Sequence, residues 1–347
     1  MFSCQSIDHL ESFFNQREPQ ILAFLPEAGR FERLRREARS LAHCFPNPET
    51  RPLLYGTLVG VKDILQVEGF PTRAGSRLPP EVFHGAEAEC VTRLKQAGAL
   101  ILGRTTTSEF AYTAPTPTRN PHHLEHTSGG SSSGSAAAVA AGLCPLALGT
   151  QTTGSLIRPA AFCGVVGFKP SYDRISRAGV IPLAPSIDHV GFFTPDVAGA
   201  SVAAGLLCAD WRFLESPSRR PVLGIPEGPY LARASDEGRT HFEAVCQRLA
   251  SAGYEVSSVP AMPNFQAIAA RHNLILDAEA ALVHAEWFAS YGERYHPETA
   301  AMIRRGKRVA PAALNRARAG RTDLRAELMA LMDDFSVDLW LSPAAPG

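Results

Sequence analysis

One lysine and two clusters of hydroxyls are the residues of this chain whose types and spacing suit covalent chemistry. Lys62 stands in Gly60-Val61-Lys62-Asp63-Ile64-Leu65. The hydroxyls fall in Ser128-Gly129-Gly130-Ser131-Ser132-Ser133-Gly134-Ser135 and, beginning 21 positions later, in Gly149-Thr150-Gln151-Thr152-Thr153-Gly154-Ser155. A serine hydroxyl is a poor nucleophile near neutral pH and needs a base within hydrogen-bonding reach. Lysine can be that base only when uncharged, and burial in a weakly polar site lowers its pKa far enough. Lys62 follows the apolar run Leu58-Val59-Gly60-Val61 and precedes Ile64-Leu65, so its stem starts in the core. The plain alternative is a surface pair with adjacent Asp63. Glycines ahead of a serine let backbone amides converge on one point and stabilise a developing oxyanion. Thr152-Thr153-Gly154-Ser155, followed by Ile157-Arg158-Pro159, suits that design, with an ordinary glycine-rich turn as its competitor. Together the three places could run acyl transfer without histidine or metal.

Such residues need a scaffold that brings three distant segments together. Residues 58–61 read as a short buried strand that delivers Lys62, 87–96 as a helix, 99–103 as a strand, and the Pro- and Asn-rich tract 114–128 as a loop. Residues 135–142 read as a helix with almost no side-chain bulk. From Ser128 to Gly142 only Val139 is neither Gly, Ala nor Ser, so this helix can lie tightly against a sheet. Residues 146–149 read as a strand ending in the second hydroxyl turn. Upstream, 7–45 is helical with a break at Pro26. Past 200 the pattern gives a strand at 219–224, a helix at 237–252, a strand at 254–256 and mainly helix over 265–332. A core strand at 337–341 then ends six residues before Gly347. Strands alternating with helices predict an α/β fold with a large mixed, mostly parallel β-sheet covered by helices on both faces. A single domain over 1–347 is expected, with an N-terminal helical part (1–50), a catalytic core (51–200) and a second part (201–347). That last part is expected to be shortened at the C-terminus, because a domain seldom finishes directly after a central strand.

Composition sets the outer bounds. A chain of 347 residues with 45% apolar content can bury a large core. Its 34 basic and 34 acidic residues balance, which argues against a nucleic-acid groove. No apolar run reaches the roughly 18 residues of a membrane span, and no basic-then-apolar leader opens the chain. The expectation is a cytoplasmic protein with neither membrane nor nucleic acid as partner. Seven widely spaced cysteines without a CxxC pair fit reduced, buried thiols better than disulfides or zinc.

Other motifs carry less weight. Gly130-Ser131-Ser132-Ser133-Gly134 has GxSxG spacing and makes Ser132 the rival nucleophile, but a Pro- and His-rich loop precedes it where a nucleophile elbow needs a strand. His122-His123-Leu124-Glu125-His126 holds an i,i+4 histidine pair in a loop without a third ligand, so no metal site is expected. Residues 164–170 are too short in spacing for a phosphate loop. Arg304-Arg305-Gly306-Lys307-Arg308 reads as a solvated helix face, and Cys163 as a core thiol.

With these pieces in order, the run from Lys62 to Pro170 resembles the amidase signature family of Ser-cisSer-Lys amide hydrolases. The matching residues are Gly60-Val61-Lys62-Asp63, the glycine, serine and alanine stretch from Gly129 to Gly142, and Leu148-Gly149-Thr150-Gln151 through Gly154-Ser155. Arg158-Pro159-Ala160 and Cys163-Gly164-Val165-Val166-Gly167-Phe168-Lys169-Pro170 follow in the family's sequence. Within the family the wording is most similar to malonamidases. The resemblance implies that Ser155 is the nucleophile, Ser131 a bridging serine after a cis Gly130–Ser131 peptide bond, and Lys62 the base. It places the oxyanion hole at the amides of Thr152, Thr153, Gly154 and Ser155. It implies that Arg158 binds a substrate carboxylate, the alternative being a structural ion pair. No cofactor is required. The implied reaction is hydrolysis of a small carboxylate-bearing amide, such as malonamate, to acid and ammonia through an acyl-serine, with a small-molecule partner and homodimer formation left open. Two departures stand out. Thr153 replaces a glycine or another small residue and is expected to narrow or re-aim the hole, since a β-branched residue tolerates positive φ poorly. Family members also continue well past the equivalent of residues 342–347. Two further readings stay open: a weakly active or non-catalytic binding or assembly relative, and an amidotransferase component that feeds ammonia to a charged-tRNA partner.

Overall fold

In the computed structural model, which describes residues 4–212 and 219–346, the hydroxyl clusters and Lys62 gather at the strand ends of one sheet. Strands β1 (Leu58–Lys62), β2 (Leu100–Thr105) and, later in the chain, the strand at Leu146–Gln151 are buried at every position, as expected where helices cover both faces. A two-stranded hairpin, β3 (Arg119–Asn120) and β4 (His123–Thr127), comes between them, which makes the Leu146–Gln151 strand β5. Two more strands, β6 (Val166–Phe168) and β7 (His189–Thr194), complete a five-stranded sheet in the order β2-β1-β5-β7-β6. β1 runs parallel to both β2 and β5, with Val61 opposite Leu148, so the C-terminal ends of β1 and β5 emerge on the same edge. That edge is where open α/β sheets place ligands. β7 returns antiparallel to β5 and pairs with β6.

Helices α1 (Cys4–Ile21) and α2 (Arg30–Cys44) precede β1, and α3 (Glu89–Gln96) precedes β2. The break between the first two spans 22–29 rather than Pro26 alone. Leu22 and Gly29 have positive φ, and Phe24 forms an antiparallel bridge with Thr105. The small-residue helix α4 (Ser133–Ala140) starts two positions earlier than the pattern suggests, and Gly142, with φ +74°, closes it. Its lack of bulk has a direct cause. A Cβ on Gly134 would fall on the carbonyl oxygen of Ala23 and the amide of Thr106, so helix and strand backbone touch there. Helix α5 (Ile157–Cys163) follows the second hydroxyl turn, and α6 (Val197–Leu207) follows β7.

The tract expected to be a loop, 114–128, instead holds the β3–β4 hairpin. Asn120 builds its turn: Oδ1 accepts the His122 amide at 3.0 Å, and Nδ2 donates to the Phe162 carbonyl at 2.7 Å. An Asx turn of this kind leaves no hydropathy pattern to read.

The chain divides into two compact units, Met1–Arg212 with Val283–Met302, and Phe213–Leu282 with Ile303–Gly347. In the second, β8 (Leu223–Glu227) runs parallel to β9 (Val256–Pro260) and to a short strand at Leu339–Trp340. Helix α7 (Asp236–Ser251) joins β8 to β9, and Ser235 caps it by accepting the Gly238 amide at 3.0 Å. Helices α8 (Phe265–Val283), α9 (Ala285–Tyr291), α10 (Pro297–Gly306) and α11 (Pro311–Asp334) lead to the last strand, β10 (Leu339–Trp340). Only these two residues of the expected strand 337–341 pair, and Gly347 lies outside the described residues. Across the two larger sheets four of six pairings are parallel, so the α/β class and the mixed, mostly parallel sheet are observed, distributed over two sheets.

Six cysteines are described and none is bonded. Cys90, Cys144, Cys163 and Cys208 are buried as expected, whereas Cys44 is exposed and Cys246 half-buried. The side chain of Cys4 lies outside the described residues. No described helix is long and apolar enough to cross a membrane.

Candidate active site

Lys62 ends β1 with no exposed surface. Its amine is surrounded by hydroxyls rather than carboxylates: Nζ lies 2.9 Å from Ser131 Oγ, 2.9 Å from Ser132 Oγ and 2.8 Å from Thr150 Oγ1. Burial pushes its pKa well below the ordinary 10.5; Asp188 opposes that shift and Arg158 adds to it. A neutral amine has two N–H bonds and one lone pair, so one of the three hydroxyls must donate to it. Ser132 points its proton elsewhere, to the Thr150 carbonyl at 3.1 Å.

The surface pair between Lys62 and Asp63 does not form. Asp63, in the turn just past β1, faces Arg104, whose Nη2 and Nε reach its Oδ1 at 3.0 and 3.2 Å. This pair is buried as well. Burial pushes the Asp63 carboxyl up and the Arg104 guanidinium down, and their mutual attraction opposes both shifts.

The Gly130–Ser131 peptide bond is cis. Gly129, immediately before it, has φ +74°, and a Cβ there would press on the Cα of Pro159. The Ser131 carbonyl accepts the Ser108 amide at 3.2 Å, and its hydroxyl faces Lys62. The rival Ser132 is also fully buried, and its oxygen accepts both Lys62 Nζ and the Thr150 amide. With its proton directed to a carbonyl, Ser132 is a structural strut between α4 and β5.

The second turn is shaped by Gln151 at the end of β5. Its Oε1 accepts the amides of Leu156 and Ile157 at 2.9 and 3.1 Å, which draws residues 152–155 into a loop. Among the described residues the amides of Gly154 and Ser155 donate to no protein acceptor, which leaves them available to an incoming oxygen. Thr153 does not have positive φ, so its branched side chain imposes no left-handed backbone on the turn. Ser155 is 6% exposed. No described side chain, Ser131 included, hydrogen-bonds its hydroxyl.

Arg158 projects from α5 back to the cis bond. Nε and Nη2 donate to the Gly130 carbonyl at 3.1 and 2.6 Å, and burial lowers its pKa. No described carboxylate pairs with it, so the structural ion pair is not formed. It lines a cleft of about 310 Å³ with Gly130, Tyr112, Thr113 and Phe162.

Asp188 was not singled out by its sequence setting. Thr152 Oγ1 donates to its Oδ1 at 2.5 Å, and the amides of Leu183 and Ala184 donate to Oδ2 at 2.8 and 2.9 Å. Burial raises its pKa, and these three donors hold it down. It thereby ties the second hydroxyl turn to the segment before β7. Thr150 was likewise missed, although it lies inside the second hydroxyl cluster. Only the fold brings its hydroxyl to Lys62, 88 positions away.

Elsewhere, His122 Nε2 lies 2.8 Å from the Cys163 carbonyl, and no group of three His, Cys, Asp or Glu that could hold a metal occurs among the described residues. Cys163 packs in the core, its thiol pushed up to about 12 by burial. Arg304, Arg305, Lys307 and Arg308 are exposed, and Arg305 pairs with Asp277 at 2.8 Å.

Known proteins resemble this chain in sequence and in fold. A family model described as Amidase matches residues 27–347. A glutamyl-tRNA(Gln) amidotransferase component from Nitratidesulfovibrio vulgaris (strain DP4) is 36% identical over 303 residues, 80% of this chain and 61% of its own. Its counterpart in Synechococcus sp. (strain WH7803) is 36% identical over 319 residues, 85% and 64% of the two chains. The chain thus spans under two thirds of the length of these curated relatives. Among solved structures, one described as an amidase superposes with a TM-score of 0.88 at 33% identity, over 98% of this chain and 78% of that one. The native peptide amidase of Stenotrophomonas maltophilia superposes with a TM-score of 0.79 at 25% identity, over 98% and 81%. A buried lysine among hydroxyls, a cis bond ahead of one of them, and a family match over most of the length lead to one conclusion: the chain belongs to the amidase signature family.

Proposed function

We propose that this protein hydrolyses a carboxylic amide to acid and ammonia, with Ser155 acylated in between. The observation that carries the reading is Lys62, fully buried and bonded only to hydroxyls, one of them Ser131 next to the cis bond. Ser155 Oγ attacks the amide carbonyl as its proton passes to Ser131 Oγ and the proton of Ser131 passes to Lys62 Nζ. The negative oxygen is received by the amides of Thr152, Thr153, Gly154 and Ser155. The protonated lysine returns its proton by the same path to the leaving nitrogen, the C–N bond breaks, and water cleaves the acyl-serine. Contacts of this kind tighten once substrate fills the site, so an open Ser131–Ser155 gap in the free protein is compatible with the relay.

For the substrate, a small carboxylate-bearing amide such as malonamate is favoured by Arg158. Two of its nitrogens hold the Gly130 carbonyl, and Arg158 lines the adjoining cleft with no described carboxylate paired to it. A planar, permanently charged donor suits a carboxylate. Ammonia release from a panel of small amides with and without a free carboxylate tests this. Turnover lost in Ser155→Ala, and carboxylate preference lost in Arg158→Ala, are expected; near wild-type activity in Ser155→Ala would overturn the mechanism.

A second reading has its own support. The curated relatives are named as amidotransferase subunits, so the ammonia could be passed to a partner acting on charged tRNA. Copurification of partner proteins from the native source, with glutamine as the hydrolysed amide, would favour it over the free hydrolase. A weakly active assembly role would show as a folded protein that no serine-reactive probe labels.

A further inference from the structure

Beyond Thr150 and Thr152 the first unit contains a cavity of about 200 Å³. It adjoins the chemistry directly. Thr150 is held by Lys62 Nζ, Ile64 lies two residues past Lys62, and Thr152 opens the turn that ends at Ser155. Most of its polar wall groups are engaged with the protein, Arg177 through two of its five N–H groups. Thr152 Oγ1 donates to Asp188, both oxygens of Asp188 are taken, and Arg177 donates to the Pro185 carbonyl at 2.6 Å and to Asp173 at 3.3 Å. His189 Nδ1 is 2.8 Å from the Ile187 carbonyl. Eight of the thirteen lining residues are apolar, among them Ile64, Val180, Ile181 and Leu183. An occupant therefore finds apolar contact and few free donors or acceptors. A cavity of about 150 Å³ is large enough to take up benzene.

We propose that this cavity is a specificity subsite for a compact apolar substituent of the amide, of phenyl or branched six-carbon size. The substrate class is then a carboxylate-bearing amide with an aryl or branched alkyl group, its carboxylate toward Arg158 and its apolar group beyond Thr150. This rests on the amidase reading and deepens it. The apolar group can be carried on the acyl carbon or on the nitrogen, and the two are separated by experiment.

The test compares malonamate with its 2-phenyl and N-phenyl derivatives, using the full chain. One phenyl compound is expected to exceed malonamate in kcat/KM by about 30-fold, within the range that hydrophobic pockets confer per added group. Which one it is reports the side that enters the cavity. Val180→Phe, which fills the cavity, should cut that ratio about tenfold, and Ile181→Ala should move the preference toward a naphthyl analogue. A general loss of folding lowers all substrates and leaves the ratios unchanged. Phenyl compounds no better than malonamate, or a ratio that Val180→Phe does not alter while malonamate turnover is kept, would overturn the subsite. Failure of every amide to turn over would instead retract the amidase reading. The subsite is then judged by equilibrium binding to Ser155→Ala, where the phenyl compounds must bind more tightly than malonamate and lose that advantage when Val180→Phe is added.

Discussion

Two buried basic side chains sit near the same strand ends and are treated in opposite ways. Arg104, on β2, meets the Asp63 carboxylate, the Thr72 hydroxyl at 3.3 Å and the Leu65 carbonyl, so its charge is matched where it lies. Lys62, adjacent to Asp63 in sequence, meets three hydroxyls and no carboxylate. A buried guanidinium stays charged and must be paired, whereas a buried amine can lose its proton. A strand end can thus hold a titratable base and a structural charge side by side: Lys62 closes β1 among hydroxyls, and Asp63 in the turn that follows meets Arg104.

Breaking each member separately sharpens the contrast. Lys62→Met keeps the bulk of the stem and removes the amine. It is expected to lower kcat/KM by about 10³-fold or more, as loss of an essential base does, while thermal stability is kept or gained. Asp63→Ala should do the reverse, leaving Arg104 charged and unpaired at a cost of about 3–5 kcal/mol in denaturant unfolding. If Lys62→Met unfolded the protein and Asp63→Ala did not, the two roles would be exchanged.

pH separates the two basic side chains next. Because burial lowers the pKa of Lys62 below the 10.5 of the unfolded chain, the unfolded state binds more protons in the window between those values. Stability attributable to Lys62 therefore rises with pH across that window and levels off above 10.5, and the slope should vanish in Lys62→Met. Activity should climb with pH through the same lowered pKa, as the amine becomes free to accept a proton. The Arg104–Asp63 pair contributes no comparable rise, since an arginine does not titrate there.

The smallest effect is expected at Asp188, which acts through Thr152 and through its charge. Asp188→Asn should reduce kcat/KM about tenfold and move the alkaline-rising limb to lower pH, since a negative charge that opposed deprotonation of Lys62 is gone. A drop in kcat/KM without movement of the limb would leave Asp188 only the clamp on the turn.

Much of this arrangement was legible in the residues, and the gaps have physical causes. Apolar neighbours announced that Lys62 is inward, and the run of Gly, Ala and Ser announced a helix that touches backbone. What adjacency suggested for Lys62 and Asp63 was overruled by the turn that begins at Asp63 and by a partner 41 positions away. Asp188 could not be read because its donors come from a turn at 183–184 and from Thr152, a pairing set by the antiparallel return of β7. Arg158 shows the same limit. The resemblance to malonamidases marked it as a candidate anchor, but its grip on the Gly130 carbonyl depends on how α5 meets the first hydroxyl cluster. The β3–β4 hairpin depends on one asparagine side chain in a tract whose composition reads as coil.

The central claim is that a hidden, uncharged amine drives acylation of one particular hydroxyl. Trapping the acyl-enzyme with a slow activated ester and locating the modified residue by peptide mass spectrometry tests it most directly. A single acyl group on Ser155, absent in Lys62→Met and Ser131→Ala, is expected. An acyl group on Ser132, or one on Ser155 at an unchanged rate in Lys62→Met, would contradict it.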